Sequence, residues 1–323
     1  MTARFGLEEV RAALHRIRPF VHKTPVFSSS SLDSLAGRTL HFKAECLQKT
    51  GSFKARGATN AVQILKKERP EVGGVVTHSS GNHGQAVAYA ATAAELPCTV
   101  VVPKGSSSAK IDAIKSYGAQ IVFCEPNPTS RVETCARVAR EESYDIIHPF
   151  DDYRVMAGQA TIGYEFLEQV PQLDAILVPI SGGGMISGIA VAAKAIRPEC
   201  RVFAVEPTGK DLAPSLKSRQ RLWPDPPRYL TTVADALRHQ QPGHLTFPIM
   251  CDTIDPTVFT ITDEQMIDGI KIAMQRLKLV LEPASGAAVA AALSDQMKEL
   301  DPCLRHIGVI LCGGNIDVNR LPW

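Results

Sequence analysis

The sequence predicts an α/β protein built on two open parallel sheets. Three observations carry the prediction. Short β-branched runs alternate with alanine-rich stretches of helical period, the strands are nearly uniformly apolar, and several strands run straight into glycine-rich turns. Strand–helix alternation implies parallel pairing with crossover helices. Uniformly apolar strands imply sheets covered on both faces. A length of 323 residues is long for one compact domain and comfortable for two.

In chain order, "MTARFGLEEVRAALHRIRPF" has charges every few residues and reads as a surface helix, not a signal peptide. "SFKARGA" leads into the apolar helix "ATNAVQIL". Strands are expected at Gly74–Thr77, Cys98–Val102, Gln120–Phe123, Ala175–Pro179, Arg201–Val205 and Ile307–Leu311. Helices are expected at Asn82–Glu95, Ser107–Tyr117, Ser130–Glu142, Ala157–Gln169, Met185–Ile196, Asp263–Leu277 and Ser285–Leu300. The stretch Gly209–Gln241, rich in Pro, Lys and Arg, shows no clear period.

The bulk numbers exclude some functions. A net charge of +2, with Lys and Arg spread along the chain, makes no case for nucleic acid or a membrane surface. No apolar run is long enough to span a bilayer. The 8 Cys form no CxxC pair and mostly lie inside apolar runs, as buried free thiols of a reducing compartment do. A cytoplasmic protein is therefore expected.

Three strand-to-glycine junctions, "THSSGNHG", "PISGGGM" and "VILCGGN", suggest one shared site beyond the carboxyl ends of the strands. In "ISGGGMISG", Gly182, Gly183 and Gly184 open a helix and let backbone N–H groups turn toward an anion. The spacing is neither a dinucleotide fingerprint nor a Walker loop, so a single phosphate monoester fits better. The competing reading is a tight turn that needs small residues. In "HSSGNHGQA", Ser79, Ser80, Asn82 and His83 crowd a strand-to-helix junction and suit a carboxylate, although Ser or Asn alone could be a helix cap and His83 alone a structural histidine. Lys54 follows Phe53 at a helix start. A reactive lysine needs a lowered pKa, and beside a phosphate cup its amine suggests a Schiff base with a phosphorylated aldehyde, pyridoxal 5′-phosphate. Cys312 ends a buried strand, where it is either a ring-nitrogen partner or simply a buried thiol.

Together, "SFKARGA", "SSGNHGQA", "HPFDD…AGQATIGYE", "SGGGMISG", "EPASGAAVAA" and "CGGN" resemble the fold type II pyridoxal-phosphate enzymes of the serine racemase and serine/threonine dehydratase family. The resemblance runs over nearly the whole chain. It implies the tryptophan synthase β-like fold, with residues 73–151 as a small domain inserted into a large one made of 1–72 and 152–323, and the site in the cleft between them. It implies that Lys54 and Ser80 are bases on opposite faces of the substrate Cα. Ser79, Asn82 and His83 would hold the substrate carboxylate, with Asn82 also near the ring's phenolic oxygen. Gly182, Gly183, Gly184 and Met185 would cup the phosphate, Phe53 would pack on the ring, and Cys312 would face its nitrogen, where serine racemases more often carry Ser and some dehydratases Cys. Arg131 matches an arginine linked to the substrate-bound closed state.

The activity implied is racemisation of serine with accompanying β-elimination. Aspartate racemase and 3-hydroxyaspartate or threonine dehydratase are alternatives on the same scaffold, and a catalytically silent small-molecule binder is the non-enzyme alternative. Arg154 and Arg238 are extra cations that suit a β-carboxylate, or else point to solvent. Relatives hold Mg²⁺ or Mn²⁺ through a Glu, a carbonyl and an Asp. Here Glu206 matches, Lys210 falls at the carbonyl position, and Leu212 stands where the aspartate belongs, with Asp211 one residue early. The expectation is that the Lys210 ammonium replaces the cation and pairs with Glu206. ATP activation in relatives maps to Ser29, Ser30, Lys49, Thr50, Gln85, Lys110, Tyr117 and Asn315, and a homodimer is implied.

Overall fold

The computed structural model describes residues 6–224 and 227–323. Among these residues ten strands form two sheets: β1 Val26–Phe27, β2 Thr39–Lys43, β3 Gly74–His78, β4 Cys98–Pro103, β5 Gln120–Cys124, β6 Tyr144–Ile146, β7 Ala175–Pro179, β8 Arg201–Pro207, β9 Val258–Ile261 and β10 His306–Ile310. The larger sheet has the order β1-β2-β10-β7-β8-β9, and the smaller has β5-β4-β3-β6. Every pairing is parallel except that of β1 with β2. This is the α/β fold type II architecture, with two parallel-sheet units.

All six expected strands form. Four others, β1, β2, β6 and β9, lie outside the expected set for physical reasons. β1 has two residues, β6 three and β9 four, and the run "TLHFK" of β2 carries His41 and Lys43, which interrupt an apolar pattern. Lys43 is nevertheless fully buried, because its ammonium is paired.

Two of the expected helices differ by more than a residue or two at an end. The helix Tyr153–Gln169 starts four residues before the expected Ala157, because the Asp152 side chain accepts from Arg154 N and caps it. The expected helix Ser285–Leu300 is two helices, Pro283–Leu293 and Asp295–Glu299. Ser294 breaks it in an extended conformation, and its side chain caps the second helix by accepting from Met297 N.

One close approach positions the site. The helix Lys54–Glu68 packs on Tyr153–Gln169 at glycines from both helices. A Cβ on Gly158 would lie 2.6 Å from Arg56 O, and one on Gly57 would lie 2.8 Å from Val155 O. Among the described residues, no helix is long and apolar enough to cross a membrane.

Candidate active site

Lys54 is the first residue of its helix, and the segment leading into it is zipped to the exit of β10. Phe53 N donates to Cys312 O at 3.0 Å, Cys46 N to Leu311 O at 2.9 Å, and Gly314 N to Gly51 O at 2.9 Å. Ser52 and Gly313 add an antiparallel bridge. From the other side, Lys54 Nζ donates to Pro149 O at 2.6 Å and lies 5.1 Å from the centre of the Phe53 ring. Burial pulls its pKa down to about 8, against the opposing pull of Cys312 and Glu282.

Beneath Lys54 lies a buried ion network to which the sequence motifs assign no role. Arg56 donates at 2.8 Å through Nε and Nη2 to the Glu45 carboxylate, and at 2.8 Å through Nη1 and Nη2 to that of Glu165. Lys43 Nζ joins Glu165 at 3.0 Å. All four side chains are essentially out of solvent.

Beyond β7, Gly183 takes a left-handed φ of 93° and starts the helix Gly184–Ile196, which has no side-chain cap. Its first amides have no partner within the helix. A Cβ on Gly182 would meet Phe150 Cγ at 2.2 Å, and one on Gly184 would meet Phe150 O at 2.8 Å. Gly182 O accepts from Gly243 N at 3.0 Å and from Thr246 Oγ1 at 2.8 Å, so the loop is held from outside.

The turn after β3 carries Ser79 and Ser80. Ser79 Oγ accepts from Gly81 N at 3.2 Å. Among the described residues, the Ser80 hydroxyl makes no hydrogen bond. Two of the expected residues are engaged within the protein here. His83 donates Nε2–H to Ile147 O at 3.0 Å, and its Nδ1 is a buried lone pair without a partner. Burial holds the ring's pKa far below the ordinary value, so the neutral His83 has no second N–H to give a carboxylate. The Asn82 side chain is also engaged: Nδ2 donates to both Glu282 oxygens, and Oδ1 accepts from Asn315 Nδ2 at 2.8 Å. A carboxylate at this turn is left the serines and the N-terminal amides of the helix Asn82–Ala93.

Glu282 is a second site residue to which the motifs assign no role. Burial raises its pKa to about 7. It reaches Cys312 Sγ at 3.9 Å, and Ser285 Oγ lies 3.5 Å from the same sulfur. Burial pushes the Cys312 thiol well above its ordinary value, which keeps it neutral. The signal in the sequence is the motif "EPASGAAVAA", in which a lone Glu precedes a helix that is apolar but for Ser285.

Arg131 crosses from the helix Pro128–Glu141 to Tyr229, with Nη1 3.0 Å from the phenolic oxygen. Nη2 donates to His78 O at 3.4 Å, and Nε is buried without a partner. Among the described residues no carboxylate pairs with it. Arg154 and Arg238, the two cations expected for a β-carboxylate, are consumed elsewhere. Arg154 pairs with Asp152 at 2.7 Å and Asp145 at 2.9 Å, and the half-exposed Arg238 pairs with Asp235 at 2.9 Å.

The residues expected at an ATP site are partly gathered. Asn315 Nδ2 donates to Thr50 O at 2.8 Å, and Lys49 and Thr50 lie on the short turn that packs on the helix bearing Gln85. Tyr117 meets Tyr89 edge-on at 6.0 Å. Lys110 is committed to an ion pair with Asp235, and Ser29 and Ser30 sit at the start of the helix Ser30–Ala36, where Ser29 Oγ bonds Ser31 Oγ at 3.1 Å.

The residues expected to hold a divalent cation are already engaged. Glu206 accepts from Leu212 N and Thr260 Oγ1, each at 3.1 Å. Lys210 O accepts from Trp223 Nε1 at 2.6 Å, and Asp211 is exposed. Among the described residues no cluster of acidic, His or Cys side chains suits a metal. The donor set does not fit a divalent cation. Lys210 Nζ donates to His239 O at 2.6 Å and Gln240 O at 2.9 Å, and among the described residues it makes no ion pair with Glu206, contrary to expectation.

A half-buried lysine of lowered pKa, an uncapped glycine-lined helix N-terminus and a neutral thiol together fit pyridoxal phosphate, and they define an enzyme of that cofactor class. The family model of pyridoxal-phosphate dependent enzymes matches residues 17–313. The serine racemase of Arabidopsis thaliana is 43% identical over 314 residues, covering 97% of this chain and 93% of that protein. The chain therefore belongs to the serine racemase and serine/threonine dehydratase family of pyridoxal-phosphate enzymes. Among solved structures, a pyridoxal 5′-phosphate-dependent aspartate racemase is 47% identical, with a TM-score of 0.98 over 100% of this chain and 99% of that one. The serine racemase of maize is 41% identical, with a TM-score of 0.92 over 97% and 94%. A solved threonine deaminase is 37% identical, with a TM-score of 0.88 over 97% and 99%.

Proposed function

We propose that this chain interconverts L- and D-serine, with Lys54 and Ser80 moving the proton at the two faces of Cα. The same site would eliminate water from serine to give 2-aminoacrylate, which hydrolyses to pyruvate and ammonia. The observation that carries the reading is Lys54 itself, a half-buried amine held to Pro149 O, whose pKa of about 8 leaves a useful neutral fraction near neutrality. Gly183, Gly184 and Met185 would bind the cofactor phosphate, and Cys312 would meet the ring nitrogen as a neutral group. When bound, pyridoxal phosphate supplies the electron sink that acidifies the Cα–H. A neutral nitrogen partner makes that sink weaker, which favours loss of a β-leaving group alongside reprotonation.

A second reading, aspartate as substrate, has its own support. The Arg131 guanidinium has a buried Nε without a partner and no carboxylate against it among the described residues, a place suited to the second carboxylate of a dicarboxylic amino acid. The likeness to an aspartate racemase points the same way. Incubation of the purified enzyme with L-serine, L-aspartate, L-threonine and threo-3-hydroxyaspartate, followed by chiral chromatography and pyruvate detection, decides between them. D-aspartate formed faster than D-serine would reject the serine reading.

A further inference from the structure

Lys210 is fully buried, and its charge does not make the ion pair with Glu206 that the sequence led one to expect. Its position is unusual in three respects. Nζ is clamped by two consecutive carbonyls, His239 O at 2.6 Å and Gln240 O at 2.9 Å. Its own carbonyl is fixed by Trp223 Nε1 at 2.6 Å. Burial pulls its pKa down to about 7, and among the described residues the acid that opposes this is the buried Glu206, which is occupied by Leu212 N and Thr260 Oγ1.

The segment it clamps reaches the active site. The His239 ring packs against Phe150 at 5.3 Å and Tyr229 at 5.1 Å between centres, and Phe150 lies on Gly182 and Gly184. A few residues on, Gly243 N and Thr246 Oγ1 hold Gly182 O. The ammonium thus ties the end of β8 to a strap that backs the phosphate loop on two sides. Carbonyl oxygens gathered around a buried positive charge beside a carboxylate are the surroundings of a hard cation. Here the positive charge is covalently part of the chain.

We propose that Lys210 is a built-in cation: its ammonium organises this strap in place of a divalent metal, so the folded, cofactor-competent state has no divalent-cation requirement. Lys210 acts through the strap and is a positioning residue, whichever amino acid is the substrate.

The test uses the full-length, cofactor-loaded protein. Metal content after dialysis is measured by plasma mass spectrometry. The thermal midpoint and tryptophan fluorescence are then recorded in EDTA and in Mg²⁺ or Mn²⁺. The expected result is no stoichiometric divalent ion and the same midpoint in both solutions. Lys210→Ala in EDTA should lose midpoint and bind pyridoxal phosphate about tenfold more weakly, the size expected for losing charge-assisted hydrogen bonds. Mg²⁺ or methylammonium should restore both. A stoichiometric divalent ion in the wild type, or a wild-type midpoint that falls in EDTA, overturns the proposal. So does a Lys210→Ala protein equal to wild type in EDTA, or one whose loss no cation restores. Should Lys210→Ala not be recovered folded, the wild-type measurements decide on their own.

Discussion

Asn82 Nδ2 donates to both carboxyl oxygens of Glu282, at 2.9 and 3.1 Å, and so joins the turn after β3 to the helix that backs Cys312. The contact spans 200 residues of sequence and ties the smaller sheet to the larger at the active site.

Glu282 makes stability depend on pH in a defined direction. Its folded-state pKa is raised to about 7 by burial, whereas in the unfolded chain it ionises near 4.5. Its contribution is therefore fully present below about 4.5 and is lost as pH rises through about 7. Glu282→Gln carries a permanently neutral group, so it should match wild type in acid and exceed it above neutrality by up to about 3 kcal/mol. Urea unfolding across that range measures the gap; a gap independent of pH would reject the titration.

Capture of the cofactor should follow the charge of Lys54. Only the neutral amine attacks an aldehyde, and the folded-state pKa is about 8. The reconstitution rate should rise about tenfold per pH unit below that value and level off above it. Stopped-flow absorbance on the apo-protein gives the profile. Lys54→Ala should show no borohydride-sensitive absorbance and should lose activity by at least about a thousandfold.

Ser80→Ala separates the two faces of the substrate. If Ser80 and Lys54 each serve one face, racemisation falls by about a hundredfold or more. Pyruvate formation should survive from one serine enantiomer and fail from the other. Equal losses from both enantiomers would remove Ser80 from the proton-transfer role.

Arg56→Met should be more damaging than its distance from the chemistry suggests. It leaves Glu45 and Glu165 buried with only Lys43 as a counter-charge. The expected cost is about 3–5 kcal/mol, read from denaturant midpoints. The double variant Glu165→Gln with Arg56→Met should recover part of it.

Much of this site is readable from short motifs, because glycine after an apolar strand and lysine at a helix start are local signals. Lys54, the Gly182–Gly184 turn and the Ser79–Ser80 turn all lie where strand and helix periods meet. The missing parts are relations across the fold. Arg56 finds Glu165 at a separation of 109 residues. Glu282 matters because it is buried beside Asn82, which no window of sequence displays. Arg154 and Arg238 mislead because a cation in sequence does not reveal the acids that neutralise it. Lys210 is visible as a departure from a pattern, but its partners, His239 O and Gln240 O, are backbone atoms with no sequence signature.

The pairing of β2 with β10 brings Thr39 opposite His306. During synthesis the strands of the smaller sheet, complete by Ile146, are available long before β10 leaves the ribosome. Local pairings form ahead of distant ones, so the smaller sheet can form while the larger waits for its central strand. The segment bearing Lys54 has no Cys312 or Gly313 to zip against until that strand is made. A nascent or truncated chain that stops short of β10 therefore lacks the backbone contacts that hold the segment entering Lys54, and a strand translated late completes a segment translated early.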